Sequence, residues 1–298
     1  MCNFEAARYW QVQDRRMDAA PAGALARSYL FVPGDRPERF DKAWASDADE
    51  IIIDLEDAVA PDNKVQARHC VADWLDQRRR VWLRVNAVDS AWFDDDLRLA
   101  CEPGLAGIVL PKAEAVPNAL LNLMQQGRIG GVVALIETAE GLRCAREIGT
   151  TPGVKRLAFG SLDFQVDLGI EGDEEELLYF RSHLVWQSRL AGLPAPIDGV
   201  ATAIDDEALV RAQALHSRRL GFGARLCIHP RQLAPVHEAF TPGAAERAWA
   251  ARVLAALEAS GGAAVAVDGR MVDRPVWLQA QRIANAAPDG PPTRRQGS

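Results

Sequence analysis

Clustered thiols are the first thing this sequence lacks. Its five cysteines stand at positions 2, 70, 101, 144 and 227, odd in number, far apart and without CxxC spacing. That pattern builds neither a disulfide framework nor a tetrahedral zinc site, and reads as free thiols of a reducing cytosol. Positive charge is also in deficit. Thirty-four Lys and Arg face 41 Asp and Glu, a formal net charge of −7, which argues against nucleic acid or an anionic membrane as partner. An anionic ligand therefore needs a local basic site. No apolar run approaches the roughly 20 residues of a membrane span. Residues 1–26 carry charges and an Ala/Pro/Gly stretch but no apolar h-region, so they read as a loosely ordered extension and not a secretory signal. The glycine-rich phosphate fingerprint of dinucleotide-binding sheets is missing too. Its place after the first strand holds PGDRPER.

What is present is an ordinary globular composition over 298 residues, 48% hydrophobic and 25% charged. Short runs rich in Val, Ile and Leu recur at Ser28–Val32, Glu50–Leu55, Val81–Asn86, Gly107–Pro111, Val132–Glu137, Arg156–Gly160, Ile197–Val200 and Arg225–His229. Nearly continuous apolar runs of this length predict strands covered on both faces, as in a parallel sheet. Helical patterns fill most gaps, at Pro37–Ala45, Lys64–Arg79, Thr138–Ile148, Glu174–Leu190 and Asp205–Leu220. Eight such units predict a (β/α)8 TIM barrel over residues 27–243, with an open doubly wound sheet as the alternative. Beyond it, residues 244–260 read as an Ala-rich helix. Ala264–Val267 and Arg270–Val272 flank Asp268-Gly269, a type I′ hairpin signal. Pro275 opens a last helix to about Ala286, and the tail PDGPPTRRQGS reads as disordered. Residues 244–298 thus form a small appendage that must pack on its own barrel or on a neighbour.

Active sites of such barrels lie at the C-terminal strand ends. There the sequence places Asp54-Leu55-Glu56-Asp57, Arg84 with Asn86, Pro111-Lys112, Glu137-Thr138, Gly160-Ser161-Leu162-Asp163 and His229-Pro230-Arg231. Six polar strand ends point to one polar cavity. Glu137 and Asp163 each have a second reading, Glu137 as an N-cap or first-turn carboxylate and Asp163, after a Gly-Ser loop, as a cap. Adjacent strands bring the two together, however, and paired ionised carboxylates in a cavity call for a cation. Oxygen ligands without clustered His or Cys indicate Mg²⁺ or Mn²⁺, which polarises a bound oxo acid as a Lewis acid. Arg84, in an apolar strand, reads as a buried salt-bridge partner of a DLED carboxylate, a grip for a substrate carboxylate or oxyanion, or both. Lys112 is a Schiff-base candidate or an ion-paired lysine. His229 reads as a loop residue bonded to backbone or as a site residue.

These residues resemble the citrate lyase β-subunit-like branch of the HpcH/HpaI aldolase superfamily. The resemblance rests on RSYLFVPGDRPERF (27–40), DLEDAVAP (54–61), LRVN (83–86), LPK (110–112), LIET (135–138), FGSLDFQVDLG (159–169), DGV (198–200) and IHPRQ (228–232), in that order. It implies a (β/α)8 barrel assembled as a trimer or dimer of trimers in the cytoplasm. It implies Mg²⁺ held by Glu137 and Asp163, and substrate held by Arg84, Glu137, Glu56, Asp57, Gly160 and Ser161. Coenzyme A is expected at Phe31, Arg36, Lys42 and Ile228. Asp273, in MVDRPV, is expected to close over a neighbour's site as a catalytic acid on a lid exchanged between subunits. From its own surroundings Asp273 reads only as a helix N-cap. Two departures stand out: Ala224-Arg225 replaces the usual Gly-Lys before IHP, and GSLDF replaces GAEDL. The implied activity is metal-dependent carbon–carbon cleavage of an acyl-CoA thioester of the citramalyl-CoA or malyl-CoA type. The alternatives are a CoA-independent pyruvate aldolase and a component of an acyl-carrier citrate lyase.

Overall fold

The structure, a computed structural model, describes residues 25–260 and 265–286. The expected N-terminal extension up to residue 24, Ala264 and the C-terminal tail from residue 287 lie outside the described residues. Eight parallel strands close into a barrel in sequence order. They are β1 (Ser28–Pro33), β2 (Glu50–Asp54), β3 (Val81–Arg84), β4 (Leu105–Leu110), β5 (Val132–Ile136), β6 (Val154–Phe159), β7 (Ile197–Asp198) and β8 (Ala224–Cys227). Parallel pairing of β1 with both β2 and β8 closes the ring. The (β/α)8 reading therefore holds, and the open sheet does not.

The period of two along each strand sorts the apolar residues into two layers. One set packs between strands and helices, including Leu30, Ile51, Ile53, Leu83, Ile136 and Phe159. The other fills the barrel interior, including Tyr29, Ile52, Trp82, Val133, Leu135, Ala158 and Leu226. This explains the continuous hydrophobic runs, since both faces of every strand are buried.

The helices are α1 (Phe40–Trp44), α2 (Lys64–Trp74), α3 (Phe93–Leu97), α4 (Asn118–Gln125), α5 (Ala139–Thr150), α6 (Ser161–Leu168), α7 (Glu175–Leu190), α8 (Glu207–Leu220), α9 (Leu233–Phe240), α10 (Ala244–Ala259) and α11 (Arg274–Asn285). Three differences from the sequence reading matter. The segment after β6, read as a loop, is helix α6, closed by Gly169 in the left-handed conformation at φ 68°. Asp163 thus stands in the first turn of a helix. Helix α2 stops at Trp74, where Leu75 turns extended, several residues short of Arg79. Strand β7 is only two residues long, because Asp198 turns back to accept the Gly199 N–H at 2.8 Å.

The described residues form two compact units, the barrel over Ala26–Phe240 and a smaller one from Thr241 onward. The smaller unit joins α10, the hairpin β9 (Val265–Val267) and β10 (Arg270–Val272), and α11 around Val253, Val272, Ala280 and Ile283. Asp268 and Gly269 both adopt positive φ, 52° and 74°, as a type I′ turn requires. Among the described residues, no helix is long and apolar enough to cross a membrane.

Candidate active site

The inward parity of the strands predicts what lies above the interior cluster. Two residues beyond Tyr29, Ile52, Trp82, Leu135, Ala158 and Leu226 stand Phe31, Asp54, Arg84, Glu137, Gly160 and Ile228. All six line one cleft of about 720 Å³, with Lys42, Asp57, Ser161, Asp163 and His229 on its walls. The strand periodicity that fills the barrel with apolar side chains thus delivers a polar floor at its C-terminal mouth.

Arg84 is the centre of that floor. Its Nε and Nη2 donate to Asp54 Oδ1 and Oδ2, both at 2.7 Å. Its Nη1 lies 3.0 Å from Glu56 Oε2 and 3.8 Å from Asp57 Oδ2. The guanidinium carbon sits 4.7 Å from the Phe31 ring centroid. Burial alone would weaken this cation, but Asp54, Glu56 and Glu137 outweigh it and hold the guanidinium firmly charged. The salt-bridge reading of Arg84 is therefore met, and the side chain still faces the cleft. Asp54 is the DLED carboxylate that the salt-bridge reading of Arg84 had left unspecified. Its signal was available, because it ends β2 on the inward parity. Asp54 also accepts the Glu56 and Ala58 N–H groups, so it shapes the turn as well as the arginine.

Glu137 is not a cap. Thr138 takes that role, its Oγ1 accepting the Gly141 N–H at 2.9 Å. Glu137 is 2% exposed and accepts the Lys112 N–H at 2.7 Å. Burial, then repulsion from Glu56 and Asp163, pushes its carboxyl up to about 8 against the pull of Arg84. Room for it comes from Gly160, where an added Cβ would lie 2.2 Å from Glu137 Cγ. Asp163 makes no capping bond to α6, whose N-cap is Gly160. Its carboxylate is partly exposed, 4.0 Å from Lys112 Nζ.

Lys112 has positive φ, 45°, a conformation costing a non-glycine residue about 1 kcal/mol or more. That backbone aims its N–H at Glu137. Its ammonium donates to Glu56 Oε1 at 2.8 Å. Burial tends to strip its proton, but Glu56 and its neighbours win and hold Lys112 protonated. A protonated amine is no nucleophile, so the ion-paired reading replaces the Schiff-base one. Glu56 is 5% exposed, and burial raises its pKa despite Arg84 and Lys112.

Four carboxylates (Asp54, Glu56, Asp57, Asp163) thus pair with Arg84 and Lys112, while Glu137 meets the Lys112 backbone N–H. The shortfall falls on Glu137 and Asp163, which lack a guanidinium of their own. An all-oxygen pair with room for further oxygen ligands fits a hard divalent cation, and the space beside Gly160 keeps Glu137 free to meet one. The buried Ser161 Oγ, which has no hydrogen-bond partner, adds an oxygen on the same wall.

At the mouth, Lys42 and Arg39 line the cleft, and Ile228 is exposed on its rim. Arg36 is not among the lining residues; its nearest acid is Asp35, at 3.9 Å. Arg39, which the sequence reading did not single out, lines the cleft three residues further along the same turn. His229 Nδ1 accepts the Arg231 N–H at 3.2 Å, so its ring is tied to loop backbone while lining the cleft. Asp273 lies in the smaller unit, where it caps α11 through the Val276 N–H at 3.2 Å.

Residues 27–230 match the family described as HpcH/HpaI aldolase/citrate lyase. The chain belongs to this family. Its members are carbon–carbon lyases. Among relatives, a citrate lyase subunit beta-like protein of Deinococcus radiodurans is 38% identical, covering 90% of this chain and 98% of its own. The L-malyl-CoA/beta-methylmalyl-CoA lyase of Cereibacter sphaeroides is 30% identical, covering 91% and 98%. Among solved structures, CitE of Mycobacterium tuberculosis in complex with magnesium, acetoacetate and coenzyme A aligns with a TM-score of 0.76 at 35% identity, covering 88% and 97%. Other complexes of that protein hold magnesium with oxaloacetate or with pyruvate. Within the family, the departure at Ala224-Arg225 has a local cause. Arg225 is buried behind the barrel wall, donating to Ser217 Oγ at 2.7 Å and lying 3.6 Å from Asp198. It is committed to that network and does not line the cleft.

Proposed function

We propose that this protein is a magnesium-dependent lyase cleaving a 3-hydroxyacyl-CoA, with a carboxylate on its carbinol carbon, into acetyl-CoA and an α-keto acid. Citramalyl-CoA and malyl-CoA are the substrates that match. The observation carrying this reading is Glu137. It is buried, its carboxyl is pushed up by burial and by neighbouring carboxylates, and Gly160 gives it space at the cleft. The malyl-CoA lyase relatives and the coenzyme A and magnesium held by CitE support the same reading. Mn²⁺ is chemically equivalent in such an oxygen site.

Glu137 and Asp163 would hold the metal, which supplies Lewis acidity toward the carboxylate and hydroxyl oxygens of the substrate. Arg84, fixed by Asp54, faces the hydroxyl oxygen and stabilises the charge that grows there as its proton passes to water in the open cleft. The bond between the carbinol carbon and the thioester α-carbon then breaks, and its electron pair passes to the thioester enolate. Asp273 of a neighbouring copy returns a proton to that carbon. Glu56 and Asp57 orient Arg84. Gly160 and Ser161 form the wall against the acid end of the substrate. Phe31, Ile228, Lys42 and Arg39 offer an apolar and cationic path to coenzyme A, with Arg36 further out. Residues 244–286 serve as the lid, in a cytoplasmic homotrimer or dimer of trimers. A panel of thioesters and free hydroxy acids, with and without EDTA, tests the proposal. EDTA-sensitive release of acetyl-CoA is expected, and cleavage of free acids alone overturns it.

A second reading has its own support: a citrate lyase subunit beta of Leuconostoc mesenteroides is 32% identical. As part of such a complex, the protein would act on acyl-carrier thioesters and leave free CoA thioesters untouched. An acyl-carrier thioester added to the panel separates the two.

A further inference from the structure

Lys64 is placed against three ordinary preferences. It opens α2, the helix end that disfavours cations. It is 5% exposed. Its partners are carbonyls, not carboxylates: Nζ donates to Leu55 O and to Glu56 O, each at 2.7 Å. The Trp92 ring centroid lies 5.2 Å away. Burial depresses its basicity, and Asp54, Asp96, Glu56 and Asp57 oppose that shift from a distance. An apolar residue of that length would avoid the cost. What the ammonium provides is a clamp. Strand β2 ends at Asp54, so the carbonyls of Leu55 and Glu56 leave the ladder just where the chain turns into the cleft. One ammonium gathers both. Glu56 O also accepts the Val59 N–H at 3.1 Å, which tightens the same turn.

We propose that Lys64, outside the cleft, is a positioning residue: by holding the Leu55 and Glu56 carbonyls it sets the turn from which Glu56 reaches Arg84 and Lys112 together. The Glu56 carboxylate meets Arg84 at 3.0 Å and Lys112 at 2.8 Å. Such a two-way contact tolerates little displacement of its backbone. Misplacement by about 1 Å at a reacting centre costs on the order of 100-fold in rate.

The kinetic test rests on the lyase reading. K64M keeps the stem and removes the clamp. Its kcat should fall about 10- to 100-fold with KM for the thioester nearly unchanged, because Lys42 and Arg39 are untouched. The K64M/E56Q double variant should be no slower than E56Q. Unchanged kcat in K64M, or losses that multiply in the double variant, overturns the proposal. If K64M fails to fold, K64Q, which keeps an amide donor for one carbonyl, should show the same kcat–KM split with a smaller loss. A crystal structure of the folded variant decides the matter even if the lyase reading fails. Glu56 displaced from Arg84 and Lys112 is expected, and an unmoved Glu56 overturns the role assigned to Lys64.

Discussion

Gly160 and Glu137 share one space. A Cβ at 160 would lie 2.2 Å from Glu137 Cγ and 2.5 Å from Oε1. No side chain can be added at 160 without moving Glu137. Gly160 is therefore a condition for the carboxylate's position and more than a hinge between β6 and α6.

Gly160→Ala should push Glu137 off the floor while leaving the barrel intact. Overpacking at such a site costs about 1–3 kcal/mol. Magnesium affinity should drop at least about tenfold if one of two ligands is misplaced, since 1.4 kcal/mol is tenfold. Isothermal titration calorimetry with magnesium reads this directly, and wild-type affinity in G160A would show that Glu137 does not hold the metal.

The elevated pKa of Glu137 links the metal, pH and stability. In the folded, metal-free protein the carboxyl is pushed up to about 8, from an ordinary value of 4.5. Between these values the folded state binds a proton that the unfolded chain has released. The contribution of Glu137 to stability is thus complete below about 4.5 and lost as pH rises through about 8. Magnesium competes with that proton and relieves the buried charge. The thermal shift given by magnesium should therefore grow from pH 6 to pH 9. Glu137→Gln should abolish most of the shift and raise the stability of the metal-free protein above pH 8. A magnesium shift equal at both pH values, or intact in E137Q, would place the cation elsewhere.

How much of this was legible in the sequence depends on the range of the interactions involved. The barrel was, because continuous apolar strands such as VVALI have one explanation when both faces are covered. The placing of Glu137 and Asp163 at one cleft was, because a carboxylate ending an apolar strand is out of place in a core and the next strand of the barrel carries Asp163 to the same end. The left-handed backbone of Lys112 was not, since nothing local demands it: only the position of Glu137, 25 residues away, makes it useful. Arg39 was not singled out because nothing in PGDRPERF shows which of its arginines lines the cleft, where the structure places Arg39 and not Arg36. The helix over SLDFQVDL went unread because its length is short and its stop signal, Gly169, also suits a loop.

Asp54 holds a buried guanidinium through two hydrogen bonds of 2.7 Å, itself 1% exposed. Removing one partner of such a pair strands the other charge, which costs about 3–5 kcal/mol. Asp54→Asn should lower the urea midpoint accordingly without changing the m-value. The D54N/R84M pair should recover part of the loss, because no charge is then stranded. Equal stability of D54N and wild type would mean that Glu56 and Asp57 suffice to hold Arg84.

Arg39 and Lys42 make the last distinction. Both line the mouth and both are exposed, whereas Arg36 lies outside the lining. Exposed cations gain little against fixed carboxylates in water, so their value here lies in meeting the phosphates of an arriving thioester. Arg39→Ala and Lys42→Ala should each raise KM for the thioester about three- to tenfold, the effect of a charge-assisted contact near solvent, with kcat little changed. Arg36→Ala should have the smaller effect. Because such contacts are screened within about 8 Å at physiological salt, added salt should raise the wild-type KM and flatten the difference between wild type and variants. If Arg36→Ala alone raises KM, the turn over Pro37–Arg39 reorganises on binding and the inward arginine is exchanged.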